Sequence, residues 1–283
     1  MKINSSICVI ALGVCISCIA FSCDSKKGHL AFDYGTKNDS ALFYFYKGWE
    51  HIMDKGEWTL SEEAFRKAVD HDPDFLIGKS LVGRISDDLE ERLEIKEVLE
   101  SKKETLTADE RLLLDVYMLN IDLTNARSQS PESLGAIVKD FRALSETNYR
   151  TFVHTYPEES YIKAEYIEVL HAGYGPQLAL DSLQILTSQK EREEHLFFKS
   201  YSASLEAELG NYEQALLYAN QVLTMSKNAS IANPQAVFAD IYFKMDSLQL
   251  AKMYIEKAVA LDPKHIIAQG LKSNIEKSIK DTL

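Results

Sequence analysis

Tyr254-Ile255-Glu256-Lys257-Ala258-Val259-Ala260-Leu261-Asp262-Pro263 reads as the closing turns of an amphipathic helix stopped by a proline. Ala251, Ile255 and Ala258 stand four and three apart on its apolar side, and upstream Phe238, Ala239 and Tyr242 mark a second helix of the same period. Two helices joined by a short turn therefore make one unit ending at Pro263. The unit recurs. Ala215 lies 36 residues before Ala251, after the turn Gly210-Asn211-Tyr212 and with Ala219 and Val222 below it. Ala179 lies another 36 residues back, with Leu183 and Leu186 at matching offsets and Tyr174-Gly175-Pro176 as its turn. Ser145, with Tyr149, Phe152 and Pro157, comes 34 residues earlier still.

Towards the N-terminus the second half of a unit is carried by Gly56, Ser61, Phe65, Ala68 and Pro73. Between Asp74 and Thr107 the pattern is weakest, although Gly83 and the run Leu89, Leu93, Leu99 still indicate a helix pair. Thr107 followed by Glu110 is a capping box that begins the next helix. From Ala41 to Lys280 no run alternates in the manner of a half-buried strand, so the chain reads as all-helical.

A small residue at the helix crossing, a large one four later and a proline after the second helix resemble the tetratricopeptide repeat. The resemblance covers most of the chain after residue 40 and is clearest in the last three units. It departs from the family pattern in the first unit, where Gly48 and Gly56 are eight apart rather than seven. The implied fold is an all-α, right-handed α-solenoid of about six helix pairs, at 41–74, 75–106, 107–157, 158–193, 194–230 and 231–265. A last helix over 264–281 is expected to cap the stack. Such pairs cannot bury an apolar face alone and are stabilised by their neighbours.

With 46% hydrophobic and 26% charged residues, 12 Gly and 6 Pro, the composition suits a folded helical protein. The formal charge is −12 and falls to −13 without Lys2, leaving 30 basic against 43 acidic residues. No Lys/Arg stripe offsets this, which excludes a general nucleic-acid binder.

Lys2, the apolar run Ile7 to Phe21, and Ser22-Cys23 have the layout of a signal peptide. Fifteen residues are short of the ~20 a bilayer-spanning helix needs. Ala20-Phe21-Ser22-Cys23 resembles the bacterial lipobox, although Phe21 is bulky and Ala20 stands where Leu is usual; Cys18, after Ile16 and Ser17, is the rival site. Polar sequence starts directly after Cys23, which favours it. All four cysteines lie within the first 23 residues, so no disulfide framework is expected beyond them. The expected division is a signal peptide at 1–22, a lipidated flexible tether at 23–40 and the repeat domain at 41–283. Two or more acyl chains would make anchoring stable.

Seven histidines, His29, His51, His71, His154, His171, His195 and His265, show no metal-ligand spacing, and there is no nucleophile elbow, phosphate loop or dinucleotide fingerprint. The expectation is a protein that is not an enzyme and holds neither metal nor cofactor. The acidic run Asp87, Asp88, Glu90, Glu91, Glu94, Glu97 and Glu100, interleaved with Arg92 and Lys96, reads as a solvated helix face. Phe43, Tyr44, Phe45, Tyr46, Trp49 and Trp58 are too many rings for one helix to turn inward, and the surplus is expected to form an exposed partner patch.

In the tetratricopeptide family the first helix of each pair lines a concave groove that receives peptides or helices. Carried over by register, those positions are Tyr161, Ala164, Glu168 and His171, then Phe197, Ser200, Ser204 and Ala207, then Asn233, Ala236, Asp240 and Phe243. They lack the Lys/Asn/Arg set that family members use to clamp a C-terminal carboxylate. The expected function is a membrane-anchored scaffold of the bacterial cell envelope, on the outer membrane by preference and facing the periplasm or the surface, binding a protein or peptide. A surface component for glycan or peptide uptake is the alternative. Oligomeric state is left open.

Overall fold

The computed structural model describes residues 32–227 and 230–282, and none of them is in a β-strand. Six antiparallel pairs follow in chain order: α1 (Asp39–Trp49) with α2 (Trp58–His71), α3 (Leu76–Ile85) with α4 (Leu89–Lys102), α5 (Ala108–Gln129) with α6 (Leu134–Thr155), α7 (Ser160–Tyr174) with α8 (Pro176–Leu186), α10 (Leu196–Glu208) with α11 (Tyr212–Met225), and α12 (Ala232–Lys244) with α13 (Leu248–Leu261). A short α9 (Gln189–Glu194) is inserted after the fourth pair, and α14 (Ile266–Thr282) ends the stack. The all-α solenoid of repeat pairs inferred from the sequence is the fold observed.

Local chemistry sets the boundaries. Asn38 and Asp88 accept backbone N–H groups at the starts of α1 and α4, and the Thr107/Glu110 capping box opens α5. A second box, Ser188/Glu191, creates α9. Gly210, at φ 82°, turns α10 into α11, a left-handed conformation that a side chain resists.

Small residues let the helices of a pair cross. A Cβ on Gly48 would stand 2.3 Å from the Phe65 ring, and Ser61 Oγ donates to the Gly48 carbonyl at 2.9 Å. Ala179, Ala215 and Ala251, spaced by the repeat, are all fully buried. Around them the core forms successive clusters, from Phe45, Trp49, Phe65, Tyr117 and Phe152 at one end to Ile255 and Ala258 at the other, where Ala268 and Ile275 of α14 cover it. Each fully buried large apolar side chain contributes roughly 1.5–3 kcal/mol.

Three expectations change. Cys23, Cys18 and the signal segment lie outside the described residues, but the tether does not extend to residue 40: Tyr34 is 1% exposed, and Phe32 packs edge-on against Phe152. Tyr34 Oη donates to Glu159, which fixes this strap across the first and fourth pairs. The aromatic patch is mostly internal as well. Phe43 is 56% exposed, but Phe45 and Trp49 are buried, Tyr46 bonds Glu159 and Tyr44 stacks on His71. The strap and the fourth pair supply the extra walls that one helix could not.

The third change concerns the groove. After α1 the chain makes a π-helical turn, Glu50–Lys55, which absorbs the extra residue between Gly48 and Gly56. That turn reaches across to the far end of the stack. Phe197 N–H and Tyr161 Oη each donate to the Asp54 carboxylate at 2.9 Å, and Asn233 Nδ2 donates to the Asp54 carbonyl at 2.7 Å. Thr59 donates from its N–H and hydroxyl to Asp262, Trp58 stacks on His265, and Lys264 pairs with Glu62. The first pair thus docks on the fifth and sixth, and the ends of the stack meet across one part of the concave side.

Candidate functional site

The concave side holds a partly open cavity of about 580 Å³. Eight of the twelve positions taken from the repeat register line it: Glu168, His171, Phe197, Ser200, Ser204, Asn233, Ala236 and Asp240, whereas Ala164 and Ala207 are buried in the core. Tyr161 does not; its hydroxyl is spent on Asp54, and it borders a separate cleft with His195. Phe243 packs into the terminal core between α12, α13 and α14. Asn233 is buried, its amide committed to the π-turn. The register therefore located one wall.

The other walls come from parts of the chain that the register did not point to. Trp49, Met53 and Trp58 of the first pair, Arg84 of α3, and His265 and Leu271 at the C-terminal end complete the lining. The only sequence signals for them were the eight-residue spacing and the crowding of aromatics near it.

Polar groups in the cavity are mostly matched. Arg84 forms a two-point ion pair with Glu165, both bonds at 2.7 Å, and lies over the rings of Trp49 and Tyr117. Tyr149 Oη adds a 2.7 Å bond to Glu165. Burial opposes the Arg84 charge, but Glu165 outweighs it and holds the guanidinium ionised. Lys244 pairs with Asp240 at 2.7 Å, and His171 Nδ1 meets Tyr201 Oη at 2.8 Å.

Glu168 is the exception. It has no hydrogen bond or ion pair with any described residue, and burial, reinforced by the nearby Glu165, pushes its carboxyl up to about 8. Arg84 pulls the other way but is already engaged by Glu165. The indole N–H of Trp49, another lining residue, is also without an acceptor. A cavity with aromatic walls and one acid left without a partner has the character of a candidate binding site. Among the described residues no group of three or more His, Cys, Asp or Glu is placed to hold a metal ion, and no helix is long and apolar enough to cross a membrane.

Compared with known families, residues 235–265 match the Tetratricopeptide repeat. The match covers one repeat near the C-terminal end of the stack. The matched repeat spans α12, α13 and the turn to His265, the unit that supplies Ala236, Asp240 and Lys244 to the cavity. Among solved structures, the crystal structure of the APC/C hetero-tetramer Cut9-Hcn1 aligns with this chain at 16% identity and a TM-score of 0.45, covering 83% of this chain and 42% of the other. No curated protein matches the sequence.

Proposed function

We propose that this protein is a non-enzymatic interaction scaffold, held on a membrane of the bacterial cell envelope by a lipid on Cys23, that binds a peptide segment of a protein partner in its concave cavity. The cavity itself carries the reading: first helices of three successive repeats turn Glu168, Ser200, Ser204 and Asp240 into one apolar-walled space. Photo-crosslinking in cells tests it. A crosslinker at Ser204 is expected to trap a discrete partner, whereas one at the exposed Glu213 on α11 is not. Equal trapping from both positions, or none from Ser204, would overturn the cavity as the binding place. Anchoring is tested separately with labelled palmitate, whose incorporation Cys23→Ser should abolish and Cys18→Ser should spare.

The size of the cavity favours a second reading, a surface component for glycan or short-peptide uptake. About 580 Å³ falls in the usual range of small-ligand sites, and Trp49 and Trp58 both line it. Protease treatment of intact cells separates the two: a surface-displayed domain is removed, a periplasmic one is spared.

A further inference from the structure

We infer that the cavity takes a cationic side chain, the Lys or Arg of a bound peptide, with its charge against Glu168 and its methylene stem along Trp58 and Phe197. The inference rests on the cavity being the binding place and adds the chemistry of what enters it.

Charge balance carries it. Two cations and three carboxylates face the space: Arg84 from α3 with Glu165 from α7, Lys244 with Asp240 on α12, and Glu168 from α7. The first four are paired, which leaves Glu168 as the surplus acid. His171 on its own helix and Tyr201 on α10 bond each other and give Glu168 nothing. Aromatic faces add a second attraction for a cation, strongest where water is excluded. Glu168 is partly buried, and of the ligand classes only a cation supplies the opposite charge that its carboxylate lacks. Desolvation and the nearby Glu165 raise the Glu168 carboxyl to about 8, which favours its protonated form at neutral pH. A cation that meets the ionised carboxylate is therefore expected to displace a proton as it binds.

Calorimetry on the full chain in detergent gives the test, with acetyl-Ala-Lys-Ala-amide against the uncharged acetyl-Ala-norleucine-Ala-amide as probes. The lysine peptide is expected to bind at least tenfold more tightly. Glu168→Gln should erase that preference without lowering the thermal midpoint, since it removes an unpaired, partly buried acid. Titrations of the unaltered protein in buffers of different ionisation enthalpy should show about 0.9 proton released per peptide at pH 7 and almost none at pH 9. That measurement needs no variant. Equal affinity for both peptides, absence of proton release, or binding of neither peptide would each overturn the cationic assignment. The Ser204 crosslink decides independently whether the cavity binds a partner at all.

Discussion

At the scale of single residues, Arg84 is placed to hold the two halves of the cavity wall together. It links α3 to Glu165 of α7 by two short bonds and stacks over Trp49 and Tyr117. Glu165 is nearly inaccessible, so removing its partner strands a buried carboxylate. Arg84→Ala is expected to cost about 3–5 kcal/mol in urea unfolding. Replacing both partners by Met should cost much less than that single change, because neither charge is then left alone. A double variant as unstable as Arg84→Ala would show that packing, not charge, dominates there.

Gly48 sits at the same scale. The sequence marks it as a repeat glycine, and the Phe65 ring leaves no room for a Cβ at the α1/α2 crossing. Gly48→Ala is expected to destabilise by about 1–3 kcal/mol through overpacking, with near-normal stability on adding Phe65→Leu as the check.

At the scale of elements, the start of α14 depends on the charge state of one ring. Ala268 N–H donates to His265 Nδ1, so His265 serves as the cap only while that nitrogen is unprotonated. Burial beneath Trp58 and Gly56 pushes its pKa down to about 4, despite the opposing pull of Asp262. A group depressed on folding contributes stability that is full above its unfolded pKa, near 6.5, and is lost as pH falls through its folded value. The loss between neutral pH and below 4 amounts to about 3 kcal/mol. His195, whose pKa the Asp54 carboxylate raises against the effect of burial, has the opposite sign and favours acid. His265→Asn, which keeps a capping acceptor without a titrating ring, should therefore make urea unfolding less sensitive to acid than in the unaltered protein. An unchanged acid slope would remove His265 as the cause.

The π-turn is the other decisive element. Its extra residue is visible in the Gly48 to Gly56 spacing, but spacing alone does not say whether a loop, a bulge or a longer helix absorbs it. In the π-helical register Asp54 gains three partners, from α7, α10 and α12.

For the molecule as a whole, a repeat stack is ordinarily a row in which each unit feels its neighbours alone. Here the ends also touch, through Asp54, Thr59, Trp58 and Glu62 on one side and Asn233, Asp262, Lys264 and His265 on the other. Closure should couple the two halves into one unfolding transition. Asp54→Ala combined with Asp262→Ala is expected to split it, with the last two pairs melting first, and to enlarge the molecule in small-angle scattering. A single transition in that variant, at an unchanged radius, would mean that the ends contribute nothing to cooperativity.

The sequence by itself determined the helices, their pairing, the crossing residues and one wall of the cavity. All of these follow from contacts within a repeat or between adjacent repeats, so a period of 34 to 36 residues encodes them. Only the tertiary structure decided that the ends of the stack meet, that Phe32 and Tyr34 join the core, and that Glu168 stands alone among paired charges. Those outcomes arise between residues up to 203 positions apart. They are set by the accumulated curvature of the stack and by which polar groups meet when its ends converge, neither of which leaves a periodic trace.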